Sequence, residues 1–90
     1  MAENYSYPMD MDWTHDEITK VIEMWALIEE VYEKGVEKER LMSVYEQFKS
    51  VVKSIGEERS LGKEYEELSG YSLYRVMQKA RATDKGKVKM

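Results

Sequence analysis

Four side chains near the amino terminus have the chemistry of metal ligands, and they are Asp10, Asp12, His15 and Asp16. Carboxylates two residues apart are typical of the start of a calcium-binding loop, which also needs glycine at its sixth position and glutamate at its twelfth. A loop that began at Asp10 would have His15 and Val21 at those two positions. We therefore expect these acids to be solvated, and we predict that the chain binds neither a metal ion nor another cofactor.

Catalytic chemistry has few residues to draw on in this sequence. His15 is the single histidine and there is no cysteine, which excludes a thiolate nucleophile, a cysteine zinc site and any motif with two histidines. The glycines are isolated and do not form a phosphate-binding loop. We therefore predict no catalytic residue and a protein that is not an enzyme.

The same amino-terminal segment has a structural explanation. Thr14 precedes Glu17 by three residues, which is the spacing of a capping box, where each side chain accepts a hydrogen bond from the other residue's backbone N–H. Trp13 and Ile18 then occupy the two positions that form a hydrophobic staple. These four residues predict the cap of the first helix.

Apolar residues recur with helical spacing in two long stretches, which predict two long helices. The first spans about 15–34 and the second about 38–54, with Gly35 and Gly56 as their stops. Because a short connection joins them, the two helices should be antiparallel neighbours. Ahead of the first helix, residues 1–13 are predicted to form an extended strap, with methionines against the bundle and aspartates in water.

The second half of the chain predicts two shorter helices. The third has only Leu61, Tyr65 and Leu68 as inward positions, and is the weaker of the two. Ser72 can cap the fourth helix. Its predicted buried side consists of Leu73, Val76, Met77 and Ala80. Residues 83–90 are polar and basic, and we predict that they fray.

Length and composition favour one small domain in the cytoplasm. Ninety residues, of which 42% are hydrophobic and 36% charged, support a thin core. The lack of cysteine suits a reducing compartment, and the first 16 residues carry four acids and no lysine or arginine, unlike a signal peptide. We predict an all-α fold, a compact bundle of two long and two short helices in a single domain over residues 1–90, with no membrane association.

Aromatic residues indicate a protein-binding surface. Seven tyrosines and two tryptophans exceed what a thin core can enclose, and such residues are favoured at protein interfaces. The predicted interface residues are Tyr5, Tyr7, Trp25, Tyr32, Tyr71 and Tyr74. We expect the partner to be another protein or a second copy of this chain. A second copy fits the charge pattern, because residues 71–90 carry six basic side chains and one acidic one, and this basic end could pair with the acidic body of another copy.

Nucleic-acid binding is the alternative function. The last two predicted helices and the turn between them outline a helix-turn-helix. Its predicted contacts are Arg75, Gln78, Lys79 and Arg81. Against it, Glu66 stands where the motif needs a small residue, Ser69 stands where it often has an apolar one, and the net charge is −4.

Three segments in combination are distinctive: "YSYPMDMDW" at residues 5–13, "YEKGV" at 32–36 and "SGYSLYRVMQKA" at 69–80. Through them the chain resembles, up to about residue 82, the YktA-like family of small uncharacterised proteins from Gram-positive Firmicutes. This resemblance implies a compact helical protein of the bacterial cytoplasm. It carries over no catalytic or ligand-binding residue.

Overall fold

The computed structural model of the chain describes residues 7–8 and 10–90, and this part contains four α-helices. They are α1 (His15–Glu33), α2 (Lys38–Val51), α3 (Ile55–Ser69) and α4 (Leu73–Ala82). Two short strands, β1 (Val36–Glu37) and β2 (Lys87–Val88), pair in antiparallel fashion with Val36 opposite Val88. The predicted all-α class is confirmed, since the sheet consists of two strands of two residues each.

The start of α1 has both hydrogen bonds of a capping box. The backbone N–H of Glu17 donates to the Thr14 hydroxyl over 3.2 Å, and the N–H of Thr14 donates to the Glu17 carboxylate over 2.9 Å. Trp13, just before the cap, is half-buried and packs against the hydrophobic core. The helix therefore begins where the Thr14 hydroxyl accepts from the Glu17 N–H, one of the first-turn N–H groups that have no partner within the helix.

The expectation of an extended strap is wrong for residues 10–13, which form a tight turn. The N–H of Trp13 donates to the Asp10 carbonyl over 3.1 Å, and the N–H of Asp12 donates to the Asp10 carboxylate over 2.9 Å. Such local bonding by aspartate competes with extended geometry. The turn directs Met11 into water, where it is 85% exposed, and not onto the bundle. Residues 1–6 and 9 of the predicted strap lie outside the described residues.

Helix α3 is longer than expected, and α2 ends earlier. The Ser54 hydroxyl accepts a hydrogen bond from the Glu57 N–H over 3.0 Å and caps α3, so that Gly56 lies in the first turn of α3 and does not stop α2. The four helices contain 19, 14, 15 and 10 residues, which makes three long helices and one short one. The serine cap and the acids that follow it favour the start of α3 more strongly than the single glycine favours the end of α2.

Helices α1 and α2 are antiparallel neighbours. The Arg40 guanidinium contacts the Glu30 carboxylate over 3.3 Å, while the rings of Phe48 and Trp25 lie 5.3 Å apart in an edge-to-face arrangement. Residue numbers therefore increase along α2 in the direction in which they decrease along α1, so the two helices are antiparallel. All four residues predicted for the buried side of α4 are buried.

Trp25 lies at the centre of the core. Its side chain is fully buried, its ring stacks on that of Tyr65 at 4.5 Å, and its indole N–H donates to the Pro8 carbonyl over 3.0 Å. The Tyr65 hydroxyl donates to the Trp25 carbonyl over 2.9 Å. Tyr65 is the only buried residue of α3; Leu61 is half-buried, whereas Leu68 is 43% exposed.

The carboxyl-terminal segment is not frayed, in contrast to our expectation for residues 83–90. Val88 is fully buried, the N–H of Lys38 donates to the Gly86 carbonyl over 2.8 Å, and the N–H of Met90 donates to the Val31 carbonyl over 3.2 Å. Val88 supplies an apolar side chain in a polar segment, and that burial offsets the entropy of ordering the chain.

Val88→Ala should lower the free energy of unfolding by about 1.5 kcal/mol, because it removes two buried methyl groups worth about 0.8 kcal/mol each. Lys89→Ala is the matched control, and its effect should stay within about 0.5 kcal/mol since Lys89 is exposed. Urea unfolding measures both. An unchanged midpoint for Val88→Ala would mean that the strand pair does not contribute to stability.

Candidate interaction groove

Most aromatic residues predicted to form an interface are engaged within the chain. The prediction is wrong for Trp25, which is fully buried because the core packs around its large apolar ring. Tyr7 is half-buried, donates to the Glu29 carboxylate over 3.0 Å and lies 6.2 Å from the Tyr65 ring. Tyr5 lies outside the described residues.

Tyr32 and Tyr71 form a pair of their own. Their rings stack at 4.4 Å, and the Tyr32 hydroxyl accepts a hydrogen bond from the N–H of Ser72 over 3.1 Å. The Tyr71 hydroxyl reaches the Glu33 carboxylate at 3.3 Å. Both rings are half-buried, so this pair fastens the start of α4 to the end of α1. Tyr74 is the one predicted aromatic that is mostly exposed among those described, at 67%.

Tyr74 lines an open groove of about 640 Å³ between α2, α3 and α4, which we call the interaction groove. Its lining comprises Tyr45 and Lys49 of α2, Ile55, Glu58, Arg59, Gly62, Lys63 and Glu66 of α3, and Ser72, Leu73, Tyr74 and Arg81 in and before α4. Gly62 of α3 faces the Leu73 side chain of α4, at a distance where a Cβ on Gly62 would make an ordinary van der Waals contact of 3.6 Å. The groove is thus formed by α3 and α4, which meet at this point, and by α2 as the third wall.

A hydrogen-bonded network fixes one wall of the groove. The Glu58 carboxylate accepts from the Tyr45 hydroxyl over 2.8 Å and from the Lys49 ammonium over 2.7 Å. The Arg81 guanidinium lies 5.9 Å from the centre of the Tyr45 ring, within cation–π range. Glu58 and Lys49 are mostly buried as side chains, so this pair links α2 to α3 with less screening than a surface pair.

The network shifts the titration of Tyr45. Its pKa is raised to about 12, first by burial, which disfavours the phenolate, and then by Glu58, which accepts the hydrogen bond of the hydroxyl and carries a negative charge. Arg81 opposes the shift. The hydroxyl of Tyr45 therefore stays protonated, and donates to Glu58, throughout the neutral range.

The outer part of the groove combines apolar and cationic side chains. Ile55 is 65% exposed and lies in the same groove as Tyr74. Arg59 and Lys63 are also exposed, and within the described chain neither belongs to an ion pair. Four cations and two acids line the groove, although the whole chain carries a net charge of −4. The groove is therefore locally positive on an acidic protein.

The residues predicted for nucleic-acid contact are all exposed on α4. Arg81 turns toward Tyr45 in the groove, and Gln78 donates to the Tyr74 hydroxyl over 3.1 Å. Arg75 and Lys79, four residues apart, share another face of the helix. The adjoining helix α3 exposes Glu64, Glu66 and Glu67, which would repel phosphate.

The acids described near the amino terminus, Asp10, Asp12 and Asp16, do not gather into a metal site. Across residues 7–8 and 10–90, no group of three acidic or histidine side chains is placed to hold an ion. Asp16 pairs with Lys20 over 3.3 Å, and Asp10 bonds to the backbone of its own turn.

Across residues 7–8 and 10–90, no helix has both the length and the apolar composition to cross a bilayer.

The interaction groove was missed by sequence reasoning because Ile55 fits the apolar spacing of α2. In the sequence it continues the stripe of Tyr45, Phe48 and Val52, which predicts a buried side chain. The signal that places it elsewhere is the Ser54–Glu57 cap, which starts α3 at Ile55 and turns this side chain outward. The cations of α3 gave no signal, since lysine and arginine on a helix are most often only solvated.

Comparison with known proteins identifies relatives along nearly the whole chain. The model of the uncharacterised protein family UPF0223 matches residues 4–89. A UPF0223 protein of Enterococcus faecalis is 48% identical over 88 residues, covering 98% of this chain and 96% of the relative. UPF0223 proteins of Streptococcus sanguinis and Bacillus cytotoxicus are 42% and 44% identical over 90 and 84 residues; the matches cover 100% and 93% of this chain, and 98% and 94% of those relatives.

The groove network predicts that Tyr45 loses its proton at a higher pH than free tyrosine. The ¹³Cζ resonance of Tyr45 should shift with a midpoint near 12, against about 10 for free tyrosine. Since the pKa is raised in the folded state, the stability that Tyr45 contributes is complete below about pH 10 and is lost as the pH rises to about 12.

Glu58→Gln should lower that midpoint without restoring the free value, because burial is the larger cause. Glu66→Gln is the matched control from the same groove and should leave the midpoint unchanged. A wild-type midpoint near 10 would contradict the hydrogen bond and the burial described here.

Proposed function

This chain belongs to the UPF0223 family of uncharacterised proteins, and on that premise we propose that it is a non-enzymatic, cytoplasmic protein-interaction module. The interaction groove holds a segment of the partner protein. The observation that carries this proposal is the joint exposure of Ile55 and Tyr74 in one concave, positively charged site.

The composition of the groove supports binding to protein. Interfaces place apolar and aromatic anchors in a concave centre and surround them with polar groups that exclude water. Here Ile55 and Tyr74 supply exposed apolar surface, and Leu73, a buried residue of the core, also lines the groove. The neighbouring cations Arg59 and Lys63 add selectivity for a partner with negative charge.

The polar groups of the groove favour binding over catalysis. The Ser72 hydroxyl already accepts a hydrogen bond from the Arg75 N–H over 3.2 Å, as the cap of α4. The Glu58 carboxylate is neutralised by Lys49 and bonded to Tyr45. A nucleophile and a general base would have to break these structural bonds before they could act.

Photocrosslinking tests the proposal directly. Replacement of Tyr74 by p-benzoylphenylalanine places a photoreactive group in the groove, and the same replacement at exposed Glu23 on α1 is the control outside it. In an extract of a bacterium that carries the protein, we expect the Tyr74 probe to form discrete protein adducts that the Glu23 probe does not form. Arg59→Glu combined with Lys63→Glu should reduce those adducts several-fold, because it reverses the charge of the groove.

Two results would contradict the proposal. One is a set of adducts that is the same for both probes, which would mean that the groove has no special affinity for protein. The other is an adduct with nucleic acid, which would favour the helix-turn-helix alternative. Nucleic-acid adducts should then disappear between about 50 and 200 mM salt, since phosphate contacts weaken steeply over that range.

A further inference from the structure

We propose that the partner in the interaction groove is a second copy of this chain, which inserts the turn at residues 10–13 with Met11 at its tip. This inference rests on the proposed function and names the occupant of the same site. It follows from a match between two surfaces of the chain that are complementary in shape, polarity and charge.

The first surface is a preformed, protruding turn. Two hydrogen bonds, from Trp13 N–H to the Asp10 carbonyl and from Asp12 N–H to the Asp10 carboxylate, fix the backbone around Met11. Met11 is 85% exposed, which is the largest exposure of any large hydrophobic side chain in the described residues. An ordered turn that displays an apolar side chain loses little entropy when it binds.

The aspartates on either side of Met11 in the sequence give its turn a negative charge. Asp10, Asp12 and Asp16 are exposed, and among the ion pairs of the described residues Asp16 is paired with Lys20. An apolar tip between carboxylates therefore needs a site that is apolar inside and cationic outside. Methionine suits such a site because its flexible thioether adapts to irregular and aromatic surfaces.

The interaction groove has that character. Ile55 and Tyr74 offer the apolar contact, and the Tyr74 ring is a suitable partner for the Met11 sulfur. Arg59, Lys63 and Arg81 carry positive charge at the same groove. Charge complementarity of this kind selects the partner and sets its register.

The contact must form between molecules. Met11 does not line the groove of its own chain, and its exposure shows that it lies in solvent there. Each copy has one turn and one groove, so two copies related by a twofold axis can satisfy both contacts at once. Paired in this way, the two copies form a closed dimer.

Analytical ultracentrifugation from about 1 to 500 μM tests this inference in the full chain. We expect a reversible dimer at about 50 mM salt whose dissociation constant rises with salt, because exposed charges are screened. Met11→Ser should raise that constant about tenfold through the loss of apolar burial. Met90→Ser is the matched control at another exposed methionine and should leave it unchanged.

A charge exchange between two variants makes the test specific to these surfaces. Arg59→Glu with Lys63→Glu gives a chain whose turn and groove are both acidic, and Asp12→Lys gives one whose turn is less acidic and whose groove is basic. Each variant alone should dimerise at least tenfold more weakly than the wild type. An equimolar mixture should recover association, because the acidic turn of the first variant meets the basic groove of the second, and the lysine introduced in the second meets the acidic groove of the first.

A monomer at 500 μM in low salt would overturn the inference, and so would a dimer that Met11→Ser does not weaken. The Tyr74 photocrosslink separates this failure from that of the proposed function. An adduct between two copies supports both, whereas adducts with other proteins alone support the proposed function and overturn the inference. Circular dichroism of each variant confirms that a loss of association is not a loss of folding.

Discussion

The buried indole of Trp25 is the interaction on which the rest of the structure depends. Its ring stacks on Tyr65 and meets the edge of Phe48, and its N–H donates to the Pro8 carbonyl. A buried N–H without a partner would cost about 1–3 kcal/mol, so this bond fixes the amino-terminal segment as well as the ring. One residue of α1 thereby holds α2, α3 and the segment before α1 in place.

The position of α3 depends most strongly on this contact. Its single buried residue is Tyr65, whose hydroxyl donates to the Trp25 carbonyl, and Gly62 in its interior weakens the helix by about 1 kcal/mol relative to alanine. The ion pair between Lys49 and Glu58 is a second, more exposed link, and it joins α3 to α2. Because α3 is one wall of the interaction groove, the contacts that hold α3 against the aromatic core also hold that wall in position.

The sequence predicted features that depend on local spacing and missed those that depend on distant contacts. The Thr14–Glu17 box and the buried side of α4 follow from neighbours three or four residues apart, and both are present. The burial of Val88 depends on pairing with β1, about fifty residues earlier, and leaves no local periodicity. The groove arises from three helices together, so Arg59 carries no sign of it in the sequence, and the one signal for Ile55 is the Ser54–Glu57 cap that precedes and follows it.

Amide hydrogen exchange in Tyr65→Leu tests most directly whether Trp25 holds α3. The substitution keeps an apolar side chain and removes the ring stacking and the hydrogen bond to the Trp25 carbonyl. We predict that amides of α3 lose protection by about tenfold or more beyond those of α1, whose own apolar face stays packed against α2. An equal loss of protection in α1 and α3, or no loss in α3, would contradict the account.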